Sequence, residues 1–175
     1  MQEIIIRPAT SRDCGALARI GRATFTDTFG HLYAAEDLET FLTHAYGEAY
    51  LAGLLDDPAC GLWLAEKDGA PVGHGLAGPC TLPHPEVDAR SGEIKRLYLL
   101  GEAQGHGVGA RLFETMTAWL EARGVTDLWL GVWSENHGAQ RFYGRYGFEK
   151  VGEYGFHVGA AVDREFIFRK RAQIF

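Results

Sequence analysis

A chain of 175 residues, 46% hydrophobic and 23% charged, has globular composition and the length of one domain with a substantial core. Its net charge of −6, from 17 basic and 23 acidic side chains, disfavours nucleic acid as the main partner, because neutralising phosphates takes a basic surface. The three cysteines, Cys14, Cys60 and Cys80, are scattered without a CxxC pair, no run nears the roughly 18 apolar residues of a membrane span, and "MQEIIIRPATS" is too weakly apolar for a signal peptide. The expectation is a single cytoplasmic domain over residues 1–175 that binds neither nucleic acid nor membrane.

In chain order, Ile4 to Ile6 reads as a short strand, and Thr10 with Asp13 as a capping-box-like entry to a helix bearing Leu17, Ile20 and Thr24 on one face. Residues 36–46 open with acids and place Leu38, Phe41, Leu42 and Ala45 at helical spacing; a further helix covers about 48–55 and stops near Pro58. The period then changes. Residues 62–66 and 71–78 read as a hairpin turning at Asp68-Gly69, and a proline-bearing loop leads to a strand over 93–100. After a glycine-rich loop comes a helix over 108–123, ended by Gly124. A buried-type strand follows at 127–133, then a short helix at 136–146 closed by Gly147, and two strands near 149–158 and 164–170.

The loop "AQGHGVGARLF" (103–113) carries the first functional signal. Alternate glycines at the mouth of a helix let backbone N–H groups approach an anion closely. Gly105-x-Gly107-x-x-Ala110 fits the dinucleotide fingerprint, but a dinucleotide fold opens with this unit and needs several parallel strands after it, whereas only about forty residues follow Glu135. A P-loop fails outright, since Ala110-Arg111 stands where Lys and Ser or Thr are required. A glycine turn with no ligand remains the plain alternative.

More of the chain is used by a third reading. Gln104-x-x-Gly107-x-Gly109, "GEIKRLYL" (92–99), "LWLGVW" (128–133) and "NHGAQRFYGRYGF" (136–148) together resemble the GCN5-related N-acetyltransferases, the GNAT superfamily. The stretches 24–42, 129–136 and 156–170 resemble its PaiA-like branch, associated with acetylation of spermidine and spermine. The resemblance implies a mixed, mostly antiparallel α/β sheet flanked by helices, with parallel fourth and fifth strands that splay to admit acetyl-CoA. The pyrophosphate would lie on the backbone of Gln104, Gly105, His106, Gly107, Val108, Gly109, Ala110 and Arg111. Leu97, Tyr98 and Leu99 would pair with the pantetheine arm, and Asn136, Ala139, Phe142 and Arg145 would complete the cofactor site.

The chemistry implied is acetyl transfer to a primary amine, such as a polyamine. An amine of pKa near 10.4 is neutral only about once in 10³ at pH 7, so the site must remove a proton. The resemblance makes Tyr143 the acid for the departing thiolate, with core packing as its alternative, and Glu93 a base acting through water, with simple solvation as its alternative. His157 is a second candidate base. A backbone N–H near Leu97 or Tyr98 would polarise the carbonyl, and Asn136 could serve the pantetheine or cap its helix. Glu36, Asp37 and Glu39 could draw a polycation or merely favour a helix start. Lys95, Arg96, Arg111, Arg141 and Arg145 make the cofactor segments locally basic. Dispersed histidines give no metal site. A protein N-terminus or lysine is the competing acceptor, an acyl-CoA-sensing module the competing class. The sequence leaves a homodimer open.

Overall fold

The computed structural model describes residues 3–172. β1 (Ile4–Pro8) leads to a 3-10 turn entered as expected at Thr10, whose N–H and hydroxyl donate to the Asp13 carboxylate at 2.7 and 3.2 Å. Arg7 grips the same carboxylate through two 2.9 Å bonds and reaches Glu66; the guanidinium holds Asp13 well below the usual carboxylate range. α1 (Cys14–Phe29) then runs longer than its sequence signal, because Phe25 and Phe29 continue the buried stripe begun by Leu17 and Ile20. α2 (Ala35–Ala45) and α3 (Glu48–Asp56) follow, each opened by acids in its first turn.

β2 (Gly61–Lys67) and β3 (Ala70–Pro79) form the expected hairpin, with Asp68 and Gly69 both at positive φ, 52° and 78°. β4 (Ser91–Leu99) begins two residues before its apolar signal, since Ser91 and Gly92 pair with β5 (Asp127–Trp133). Between these strands lies α4 (Val108–Glu121), and after them come α5 (His137–Arg145), β6 (Glu149–Val158) and β7 (Ala161–Arg171). β7 starts three residues earlier than its hydrophobic pattern indicated. A two-residue turn at Gly159-Ala160 pairs Val158 directly with Ala161.

One seven-stranded sheet results, in the order β1-β2-β3-β4-β5-β7-β6. Every neighbouring pair is antiparallel except β4 and β5. Both faces are covered, which is why β2 reads as a continuous apolar run. Leu62 and Leu64 pack with Leu17 and Ile20 of α1, while Trp63 packs with Met116 and Trp119 of α4. On the α4 face Leu112, Phe113 and Leu120 join Leu128 and Leu130 of β5, together with Tyr143 and Phe148. The sheet with splayed fourth and fifth strands is thus the architecture that the resemblance implied.

Two departures from regular pairing position the site. β4 and β5 pair only at Ser91–Asp127, Gly92–Leu128 and Glu93–Trp129, and then separate. On its other edge β4 carries a bulge, because Ala77 faces Ile94 while Leu76 faces Arg96, leaving Lys95 as the extra residue. A bulge kinks its strand and increases the local twist, which turns β4 away from β5 where the gap opens.

Candidate active site

The gap between β4 and β5 opens into a cavity of about 420 Å³. Its walls include Glu93, Leu97, Tyr98 and Leu99 of β4, Gln104 of the glycine loop, Trp133 of β5, and Asn136, Ala139 and Tyr143 around α5. These expected site residues, scattered over fifty positions, are thus brought together. Strand geometry also sorts the backbone of β4. Leu100 N–H donates to Val72 at 2.8 Å, so by alternation the Tyr98 N–H also points to β3. Leu97 and Leu99 are left on the open edge, where Gln104 Nε2 donates to the Leu99 carbonyl at 3.2 Å.

The glycine loop is shaped to receive an anion. Gly105 and Gly107 have φ of 77° and 76°, and a Cβ built on either would meet nothing within 4 Å. The first α4 hydrogen bond is Arg111 N–H to Gly107 O at 3.1 Å, so the N–H groups of Val108, Gly109 and Ala110 find no acceptor among the described residues. Open space over three free donors fits a pyrophosphate. The Val108 side chain itself is buried among Ala65, Val72 and Ala103, which anchors the loop. His106 is exposed, with Nδ1 2.7 Å from the Gln104 carbonyl oxygen.

Other residues expected at the cofactor also make structural contacts. Phe142 packs edge-on against Phe113 at 5.7 Å, and the exposed Arg145 rests over Phe142. Arg111 donates to the Ile4 carbonyl at 3.0 Å. Asn136 caps α5, accepting from Ala139 N–H at 3.1 Å, while also lining the cavity. Both roles left open by the sequence are therefore geometrically available to it.

Tyr143 is 8% exposed and its hydroxyl donates to no group among the described residues. Burial alone pushes its pKa above the ordinary phenol value, so it is protonated at neutral pH. Glu93, 7% exposed, accepts on Oε2 from Thr81 N–H and from Lys95 Nζ, each at 3.0 Å. His157 is not at the site: strand alternation turns Tyr154 and Phe156 into the cavity and leaves His157 exposed. The first-turn acids of α2 are likewise elsewhere. Glu39 pairs with Arg22 at 2.7 Å, and Asp37 accepts from Ala160 N–H at 2.9 Å, so neither lines the cavity.

Two further acids that line it were missed from sequence. Asp163 and Glu165 of β7 lie on the wall with Tyr33 and Tyr154, whose hydroxyls donate to Asp163 and to Glu165, the latter at 2.7 Å. Phe25, Phe29, Phe41 and Phe156 add aromatic surface, and two cations also line the cavity, Lys95 paired with Glu93 and Arg96 over the Tyr46 ring. Among the described residues, no group of three or more His, Cys, Asp or Glu gathers as metal ligands, and no helix is long and apolar enough to cross a membrane. Burial raises the Cys80 thiol to about 11, which leaves it a poor nucleophile.

The sequence profile of the acetyltransferase (GNAT) family matches residues 25–148. An uncharacterized N-acetyltransferase from the pepI 3' region of Lactobacillus delbrueckii subsp. lactis is 31% identical over 170 residues, covering 97% of this chain and 98% of the relative. Among solved structures, PaiA N-acetyltransferase from Thermoplasma acidophilum in complex with coenzyme A superposes with a TM-score of 0.78 at 20% identity, covering 97% of this chain and 99% of that one. Ribosomal-protein-alanine N-acetyltransferase from Brucella melitensis gives 0.67 at 24% identity, covering 95% and 99%. At those identities the structures speak for the fold.

Proposed function

This chain belongs to the acetyltransferase (GNAT) family, and from that premise we propose that it transfers an acetyl group from acetyl-CoA to a primary amine on a small cation, such as a polyamine. The observation that carries the reading is the aromatic wall of the cavity at the β4–β5 gap, where Asp163 and Glu165 stand without a paired cation among the described residues. Carboxylates and the faces of aromatic rings both attract a cation, and more strongly where water is partly excluded. Tyr33 bonds to Asp163, and Asp37 to Ala160, tying the α1–α2 region to the β6–β7 hairpin across the path an extended peptide would need. A small amine therefore fits better than a protein N-terminus.

Acetyl-CoA, when bound, supplies the acyl group as an activated thioester. Val108, Gly109 and Ala110 N–H groups hold its pyrophosphate, and the Leu97 and Leu99 edge of β4 takes the pantetheine arm. The Leu97 N–H, rather than that of Tyr98, faces the gap and polarises the acyl oxygen. Tyr143 holds a proton above the usual phenol range in a water-poor wall and gives it to the departing sulfur. A wall carboxylate takes the proton of the incoming ammonium. Glu93 is the candidate offered by the sequence, though Lys95 and Thr81 already occupy one of its oxygens.

The test is release of CoA thiol from acetyl-CoA with spermidine, spermine, lysine and a short peptide offered separately, with a protein blank for the chain's own cysteines. Polyamine-dependent release supports the reading. Release with the peptide alone would move the acceptor to a protein terminus, and binding without release would favour a sensor.

A further inference from the structure

Two carboxylates on the cavity wall differ in what already holds them. Glu93 is committed: Thr81 N–H and Lys95 Nζ both donate to Oε2 at 3.0 Å, and the Thr81 hydroxyl lies 3.4 Å away. Among the described residues no Lys, Arg or His pairs with Glu165. Among the described residues its carboxylate accepts one hydrogen bond, from the Tyr154 hydroxyl at 2.7 Å to Oε2. Room for this pair is made by Gly131 on the neighbouring strand, where an added Cβ would lie 2.9 Å from Glu165 Oε2. Trp133 and Tyr154 sit opposite Glu165 on its two flanking strands, and all three line the cavity.

We infer that Glu165 is the residue that takes the proton from the incoming ammonium, with Tyr154 positioning it. The inference rests on the acetyl-transfer reading above. The groups facing Glu165 are Tyr154 from β6, Asp163 on its own strand, Glu93 and Tyr98 from β4, and Tyr33 from the α1–α2 connection. None is a cation. Burial first, then Asp163 and Glu93, raise its pKa, against the lowering hydrogen bond from Tyr154. A carboxylate of raised pKa, free of any cation, is a stronger base than one already neutralised by a lysine.

The protons balance as follows. R–NH3+ gives one proton to the Glu165 carboxylate and becomes R–NH2. Its nitrogen lone pair forms the C–N bond to the acyl carbon, the C–S bond breaks with its electrons to sulfur, and sulfur takes the Tyr143 proton. The second proton leaving the nitrogen restores Tyr143, and Glu165 returns its own to solvent. The net products are the amide, the thiol and one proton.

The experiment is the pH dependence of kcat/KM for spermidine in the whole protein, its Glu165→Gln, Glu93→Gln and Tyr154→Phe variants, with acetyl-CoA affinity measured separately by calorimetry. Glu165→Gln should lose about 10²-fold or more in kcat/KM while still binding acetyl-CoA, and Glu93→Gln should lose less. Tyr154→Phe removes a donor that favours the charged carboxylate, so its acid limb should move to higher pH. A full rate in Glu165→Gln, with the loss falling on Glu93→Gln, overturns the inference. Should Glu165→Gln fail to bind acetyl-CoA, an unshifted acid limb in Tyr154→Phe overturns it instead. A wild-type protein inert with every amine overturns the acetyl-transfer reading itself, and this with it.

Discussion

Tyr143 carries a hydroxyl with no hydrogen-bond partner among the described residues, so removing the oxygen should affect chemistry far more than folding. Tyr143→Phe is expected to lower kcat about 10²-fold with acetyl-CoA affinity retained. Because no internal hydrogen bond is lost, its stability should stay within about 0.5 kcal/mol of wild type. Steady-state kinetics and denaturant unfolding check the two halves of that statement. His74 behaves oppositely. It is 3% exposed on β3, lies 3.3 Å from the Thr24 hydroxyl, and has no catalytic neighbour. Burial, aided by Arg96, lowers its pKa to about 3. The unfolded chain protonates this histidine near pH 6.5 and the folded one resists, so stability is full above pH 6.5 and is lost as pH falls towards 3. The loss should approach about 1.4 kcal/mol per pH unit. Comparing unfolding of wild type and His74→Gln across that window isolates the effect, since Glu165, with its raised pKa, contributes a slope of opposite sign in both proteins.

Among the elements, the β6–β7 hairpin decides how the acceptor side is closed. Gly159 sits at φ 56°, and a Cβ there would lie 2.6 Å from the Asp37 Cβ. Gly159→Ala should therefore cost about 1–3 kcal/mol and loosen the tie to α2. Thermal unfolding reads the first effect. A raised KM for the amine, with acetyl-CoA affinity unchanged, reads the second. This hairpin is also where the sequence was least legible. Strands are read from apolar and β-branched residues, and "AVDRE" (161–165) interrupts that pattern with two acids. Those acids line the cavity because β7 lies between β5 and β6, an order that only the folded sheet reveals. The cofactor side was plainer. Its glycines, its helix and the strands around it are contiguous along the chain, and the family resemblance that they carry was enough to expect Gln104, Asn136 and Tyr143 at one site. The sequence could not tell which side chains would also serve packing, as those of Phe142 and Arg111 do against Phe113 and the Ile4 carbonyl.

For the whole molecule, the net charge of −6 conceals a division. Asp163, Glu165 and Glu93 are gathered at the acceptor side, while free backbone N–H groups of the glycine loop attract the opposite sign. On the proposed reading, a cationic amine and an anionic cofactor would be received at separate regions of one surface. Raising ionic strength should weaken amine capture, seen as a KM that rises more steeply with salt for a polycation than for a monoamine, because several charges are screened together.

The short pairing between β4 and β5 has a further meaning for how the chain holds itself together. Strands β1 to β4 hydrogen-bond to one another as a consecutive meander, and β5 to β7 form a second set, with only three residue pairs joining the two across the sheet. The backbone network is therefore two lattices sharing a short seam, and side chains of α4 pack in one core cluster with residues of both. A cofactor lying along the open edge would act as an additional rung, so acetyl-CoA should slow amide hydrogen exchange in β5 and the start of α4 well beyond the residues it touches.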